Sequence, residues 1–422
     1  MVHAWRIRQA LRVALYGPEG RRVGEGKHAV VAFVCPPAVV QGEHAVHTEE
    51  ILAQVRDRHP LAPWLPRIDG IAASTGITTR GWMLPLEAAV APGGGGALRT
   101  SASVARAALA GSGFAGGDLE RAITALEAIP APQTVEERTA PAWAAVQEYG
   151  ERAAREALEI AGVQAGEVDC LITSHSTTPA LPGLDVALLN RLPLRDDVLL
   201  LPATQWACIA GTRSLALAAD LVEADPDRVV LVVISEALST TYHSGDDTLE
   251  SLIVRLLFAD TAVAAVVTGR RRAPSVLRLD AAWHHSLPGT AGLHRLETRT
   301  DGTHFVMDRR GPRAVQETVT AMWRWLGERH QDDWPRWHPG LLLAHPGGTR
   351  VLEYMEQTMP ATWPAGLLAH SRDSYATGNR GGAAVLDILR RACDAGQKPG
   401  EATVLYAAAP GLTATTLDGE WL

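Results

Sequence analysis

Residues 198–235, VLLLPATQWACIAGTRSLALAADLVEADPDRVVLVVIS, decide the fold class, because they read as strand, turn, helix and strand in succession. Val198 to Leu201 is an apolar run of strand length. Ile209 to Glu223 repeats Leu215, Ala218, Leu221 and Val222 at helical spacing, and Arg228 to Ser235 is a Val-rich run suited to burial on both faces of a sheet. Pro202 to Gln205 form the turn, and Cys208 stands where the helix opens. Free backbone N–H groups and the macrodipole at a helix N-terminus favour negative charge, which predicts a thiol able to ionise near neutral pH. The competing reading of a lone cysteine is a small buried hydrophobe.

The alternation extends outward. Trp143 to Ala161 reads as a helix, and Val168 to Thr173 and Thr261 to Thr268 read as strands. At Gly269-Arg270-Arg271-Arg272-Ala273-Pro274 the pattern breaks at a solvated linker. A second series follows, with strands near Val276, from Gly340 to His345 and from Ala402 to Ala409, and helices from Ala314 to Gly327 and Asn379 to Ala395. The expected organisation is α/β with two lobes, residues 1–269 and 270–422, each a mostly buried sheet covered by helices. Gly93 to Gly96 and the glycines at 111, 113, 116 and 117 interrupt the first lobe, so residues 91–140 are expected to be an insertion or mobile segment.

Composition narrows the function. A chain of 422 residues that is 46% apolar and 20% charged buries a large core, and a net charge of -8 argues against duplex nucleic acid as partner. Cysteines 35, 170, 208 and 393 form no C-x-x-C pair, and His284-His285 has poor ligand spacing, so neither disulfides nor a metal are expected. Met1 to Arg22, punctuated by Arg6, Arg8, Arg12, Arg21 and Arg22, lacks the apolar segment of a signal peptide, and no run reaches the ~18 apolar residues of a membrane span. The expectation is a soluble cytoplasmic protein.

Two more residues join Cys208. His345 ends the apolar run Leu341-Leu342-Leu343-Ala344 before Pro346-Gly347-Gly348, a turn that either aims the imidazole into a cleft or leaves it satisfied by backbone. Asn379, in Gly378-Asn379-Arg380-Gly381-Gly382, either caps a helix or donates to a developing oxyanion. Thiol, imidazole and amide, each at the end of an element, make an acyl-transfer set. No G-x-S-x-G, Walker loop, H-E-x-x-H or strand followed by G-x-G-x-x-G competes with it.

Thr75-Gly76-Ile77-Thr78-Thr79-Arg80, Cys208-Ile209-Ala210-Gly211, Ser235-Glu236, Leu257-Phe258-Ala259-Asp260, His345-Pro346-Gly347-Gly348, Gly378-Asn379 and Pro410-Gly411-Leu412-Thr413 occur in this order. In these landmarks the chain resembles the type III polyketide synthases, the family of chalcone synthase, and most nearly its bacterial tetrahydroxynaphthalene synthase branch. The resemblance implies a thiolase-like five-layered αβαβα fold with two related lobes. It implies that Cys208 carries the growing acyl chain and pairs as a thiolate with His345, while His345 and Asn379 stabilise the thioester oxyanion and the enolate from malonyl-CoA. Phe258 would be the gate between tunnel and cavity. Ser176 falls where the tetrahydroxynaphthalene branch has an extra cysteine, and Leu181 where members reach into the partner subunit. Trp206, Thr241, Pro410 and Gly411 would line the substrate site, and Arg67 and Arg350 would contact CoA, although Gly70 and Ser74 stand where other basic residues are usual. CoA thioesters serve as substrates with no cofactor, in a homodimer, with an acyl carrier protein as an alternative donor.

Departures bear on specificity. Ala207-Cys208, Gly211-Thr212, Phe258-Ala259-Asp260-Thr261 and Ala407-Ala408-Ala409-Pro410-Gly411 replace glycine-richer family stretches, which changes backbone freedom and cavity shape. The leading expectation is iterative decarboxylative condensation giving an aromatic or pyrone polyketide. The alternatives are a single-round acyltransferase like the third class of ketosynthases and a dimeric binding protein that condenses nothing.

Overall fold

The protein is represented by a computed structural model that describes residues 31–91, 93, 133–308, 310–334 and 336–422, apart from the side chain of Pro312. Most of the expected insertion, including the glycines from 94 to 117, lies outside the described residues.

A ten-stranded sheet forms the frame, in the spatial order Leu341–Ala344, Ala402–Ala409, Thr413–Trp421, Leu277–Ser286, Ala32–Val34, Thr261–Thr268, Val229–Glu236, Cys170–Ser174 and Leu199–Pro202, with Ala38–Gln41 also on Thr261–Thr268. Val229–Glu236 and Thr261–Thr268 are buried at every position, which explains their unbroken apolar sequence. Each half repeats one pattern. Cys170–Ser174 runs parallel to Val229–Glu236, which runs antiparallel to Thr261–Thr268, which pairs antiparallel with Ala38–Gln41. Leu341–Ala344, Ala402–Ala409, Thr413–Trp421 and Leu277–Ser286 follow the same parallel, antiparallel, antiparallel succession. Ala32–Val34 pairs with both Thr261–Thr268 and Leu277–Ser286 and so joins the halves.

Two helices, Ala210–Ala224 and Ala384–Ala395, lie between the halves and share one core with Val232, Val263, Leu343, Leu405 and Leu417. Their close approach depends on small residues: a Cβ on Gly211 would stand 3.0 Å from the carbonyl of Gly382. Val135–Ala161 and Leu184–Arg191 cover the outer face of one half, and Gly311–Arg329 and Thr349–Thr358 that of the other. The layers therefore run helix, sheet, helix, sheet, helix, as the resemblance implied.

Some boundaries differ from those read in the sequence. The helix expected from Trp143 starts at Val135, because Thr134 and Glu137 form a reciprocal cap and Pro141 is tolerated inside it. The helix expected from Asn379 starts at Ala384, after a 3-10 turn over Gly381–Ala383. Two strand pairs outside the main sheet have no counterpart in the sequence reading: His44–His47 with Thr79–Trp82, and the hairpin of His294–Arg299 with Gly302–Met307. All four strands are short, and His44–His47 and His294–Arg299 are mostly exposed, without the apolar runs that marked the central sheet.

Candidate active site

Cys208 sits in a 3-10 turn, Thr204–Ile209, that delivers the chain from Leu199–Pro202 into the central helix. Ala207 before it has φ +45° and ψ -130°, a conformation that a residue with a Cβ adopts only when its surroundings impose it. Gly382 is part of those surroundings. A Cβ there would meet the Ala207 carbonyl at 2.7 Å, the Ala210 Cβ at 2.9 Å and Glu236 Oε1 at 2.9 Å. Gly382→Ala is therefore expected to cost about 1–3 kcal/mol by overpacking and to slow Cys208 acylation, as thermal unfolding and a single-turnover assay would show.

The helix N-terminus does not by itself outweigh burial at the Cys208 thiol. Burial pushes it up to about 12, and the nearby Glu236 carboxylate adds to the rise. Glu236 ends the buried strand Val229–Glu236 and is itself raised to about 7 by burial, against the hydrogen bonds that favour its ionised form. Those bonds come chiefly from Ser176, whose backbone N–H donates at 3.0 Å and whose hydroxyl donates at 2.7 Å, with the Gly382 backbone N–H adding to them. Ser176 thus enters the site as a donor to Glu236. Glu236 had been read only as part of the Ser235-Glu236 landmark; its signal was a carboxylate closing an otherwise apolar strand. A Glu236→Gln enzyme should alkylate Cys208 about threefold to tenfold faster above pH 7, where the wild-type carboxylate is ionised and repels the thiolate. Below pH 7 the difference should fade, as iodoacetamide kinetics would report.

His345 follows the strand Leu341–Ala344, and its backbone N–H donates to the Tyr406 carbonyl at 2.7 Å. The ring is buried, Nδ1 has no hydrogen-bond partner, and burial lowers its pKa to about 4. Backbone therefore does not satisfy this imidazole. Asn379 is buried too, and its Oδ1 accepts from the Gly381 N–H at 2.8 Å. The amide thereby caps the Gly381–Ala383 turn and still has its NH₂ group to donate. The turn around Cys208 thus packs on the Gly381–Ala383 turn that Asn379 caps and on the strand Ala402–Ala409, whose Tyr406 carbonyl accepts from the His345 N–H.

The remaining expected site residues are placed unevenly. Phe258 is buried, its ring edge-on to Phe305 at 5.6 Å, and its neighbours on either side bond Asn379: Leu257 accepts from the Asn379 N–H and the Ala259 N–H donates to the Asn379 carbonyl. Thr241 is buried, donates to the Leu238 carbonyl at 2.7 Å, and lines a cleft of about 200 Å³ with Phe305 and Met307. Trp206, two residues before Cys208, lies under the Arg213 guanidinium at 5.7 Å. Pro410 and Gly411 form the turn between Ala402–Ala409 and Thr413–Trp421, where Gly411 has φ +77°. Leu181 is 99% exposed. Arg67 and Arg350 are exposed on separate elements, Leu65–Arg67 and Thr349–Thr358, and no described contact joins them.

Comparison with known proteins agrees with this geometry. Residues 125–270 match the chalcone and stilbene synthases, N-terminal domain. Germicidin synthase from Streptomyces coelicolor, a type III polyketide synthase, is 76% identical in sequence and superposes with a TM-score of 0.85, covering 93% of this chain and 100% of that one. The 1,3,6,8-tetrahydroxynaphthalene synthase of Streptomyces coelicolor is 27% identical over 396 residues, 93% of this chain and 92% of the other. A crystal structure of tetrahydroxynaphthalene synthase from Streptomyces coelicolor A3(2) superposes with a TM-score of 0.77 at 25% identity, over 92% of this chain and 99% of that one. Phloroglucinol synthase from Pseudomonas fluorescens is 28% identical over 270 residues, 64% of this chain and 76% of the other.

Proposed function

The chain belongs to the type III polyketide synthases, and from that premise we propose that it condenses an acyl-CoA starter with malonyl-CoA units on Cys208, giving an aromatic or pyrone polyketide. The observation that supports the assignment of residues is the turn holding Cys208 near Glu236 and Gly382, packed on the turn that Asn379 caps and on the strand that His345 bonds through its backbone.

The steps follow from the groups. The Cys208 sulfur attacks the starter thioester, its proton passes by way of His345 to the departing sulfur, and CoA leaves as the thiol. Malonyl-CoA then loses CO₂, and the electron pair of the broken bond becomes an enolate. His345 and the Asn379 NH₂ stabilise its oxyanion by hydrogen bonding. The enolate carbon attacks the Cys208 thioester, a carbon–carbon bond forms, and the thiolate departs. The exchange needs no redox group, and CoA thioesters supply all the carbon. Residues 1–269 would contribute Cys208, and residues 270–422 His345 and Asn379, as two lobes around one site. Phe258, Thr241, Trp206, Pro410 and Gly411 would shape the cavity, and Arg67 and Arg350 would meet CoA phosphates at its mouth. The reading is tested by measuring CO₂ release and carbon count of products from malonyl-CoA with a panel of acyl-CoA starters. CO₂ loss without chain growth would contradict it.

Leu181, 99% exposed, stands at the position from which members of the family reach into the partner subunit, which supports a homodimer. Leu181→Asp should shift the protein toward monomer in analytical ultracentrifugation. An unchanged sedimentation coefficient would place the leucine outside any interface. No helix among the described residues is long and apolar enough to cross a membrane.

A further inference from the structure

Away from Cys208, three side chains converge that the condensation does not use: His243, Asp301 and His304, whose ligating atoms lie within 4.8 Å of one another. His243 lies on the loop after Tyr242, and Asp301 and His304 belong to the hairpin His294–Arg299 and Gly302–Met307. Arg255 bonds the carbonyls of His243 and Asp246 and so fixes the loop.

Proton positions show what the cluster lacks. His243 Nε2 is 2.8 Å from the Thr303 carbonyl, which only accepts, so Nε2 carries the proton and Nδ1 of the neutral ring carries a lone pair. Nδ1 is buried without a hydrogen-bond partner and faces Asp301 Oδ2 at 3.4 Å. A lone pair aimed at a carboxylate calls for a cation between them. His304 presents Nε2 to the same carboxylate, 2.9 Å from Asp301 Oδ1, with its Nδ1 3.4 Å from Asp246 Oδ2.

We propose that this cluster binds one divalent transition-metal ion of the zinc type through His243 Nδ1, His304 Nε2 and the Asp301 carboxylate, with water completing the shell. Two imidazoles, one carboxylate and an open position form a donor set suited to zinc. The outer partners fit as well: the Thr303 carbonyl holds the far N–H of His243, and Asp246 stands ready for that of His304. The 200 Å³ cleft lined by His243, His304, Asp246 and Arg299 supplies the entry path and room for water. Two adjustments accompany binding. The imidazoles, stacked at 3.6 Å and parallel within 7°, must fan apart for both lone pairs to meet an ion at about 2.1 Å. Arg299, 3.3 Å from His304 Nδ1, must withdraw onto Glu297, which it already contacts. The ion would tie the hairpin to the loop and brace Phe305 where it meets Phe258. Sequence gave no hint of this, because His243 is distant in the chain from Asp301 and His304 and no ligand-spacing motif arises.

Cobalt titration of chelator-treated full-length protein, followed by ligand-field absorption, tests the site, with elemental analysis after zinc loading and dialysis. One ion per chain and a rise in Tm are expected. Asp246→Asn should weaken binding by roughly 10- to 100-fold, and Asp301→Asn by more. Circular dichroism checks that each variant is folded, and if Asp301→Asn is not, His304→Gln takes its place. Absence of stoichiometric binding by the wild type, or equal binding by folded Asp301→Asn or His304→Gln protein, would overturn the proposal.

Discussion

Cys208→Ala protein is expected to form no new carbon–carbon bonds, its condensation rate falling by roughly three orders of magnitude or more, as when the nucleophile of a covalent mechanism is removed. It should nevertheless continue to release CO₂ from malonyl-CoA. Decarboxylation draws on the enolate stabilisers, His345 and Asn379, and needs no thioester on Cys208. The variant therefore separates the two half-reactions assigned to this site. Loss of both would place Cys208 in malonyl-CoA binding as well. Retained condensation would exclude it as the acyl carrier.

Replacing His345 should have the second largest effect, with a distinctive pH dependence. The causes that raise the Cys208 thiol to about 12 are burial and Glu236, and His345 is not among them. That value describes the thiol without help from an imidazolium. Likewise burial alone holds the His345 ring near 4. Moving one proton from sulfur to imidazole creates opposite charges in a poorly solvated site, where their attraction offsets part of both desolvation costs. In His345→Gln that compensation is gone. The alkylation rate of Cys208 should then rise about tenfold per pH unit through pH 7 to 9 without levelling, because a raised thiol pKa keeps the reactive thiolate scarce until strongly alkaline pH. Wild-type enzyme should level off at lower pH and react more than tenfold faster at pH 7. Superimposable wild-type and variant profiles would mean that His345 does not support the thiolate.

How much of this was legible in the sequence depended on burial. Strands such as Val229–Glu236 and Thr261–Thr268 are buried on both faces, so their apolar runs marked them plainly. The exposed strand His294–Arg299 has no such pattern, and its hairpin was invisible although it brings Asp301 and His304 to His243. The helix read from Trp143 begins at Val135, because the Thr134 and Glu137 cap starts it ahead of Pro141. Cys208 stood out from its place between strand and helix, but the effects of burial and Glu236 on its thiol did not. The local dipole argument omitted burial and Glu236, which reaches the thiol only through tertiary structure. Ser176 was noticed through family position alone; its role as the donor that holds Glu236 required coordinates.

The central claim is that Cys208 carries a chain that grows. Intact-protein mass spectrometry after mixing the enzyme with acyl-CoA starters and malonyl-CoA, with peptide mapping around Cys208, tests it most directly. The account predicts a starter adduct on the Cys208 peptide followed by heavier species separated by the mass of one acetate unit. An adduct that forms and never grows would contradict iterative condensation and favour a single acyl transfer, and an adduct on any other residue would remove Cys208 from the centre of the mechanism.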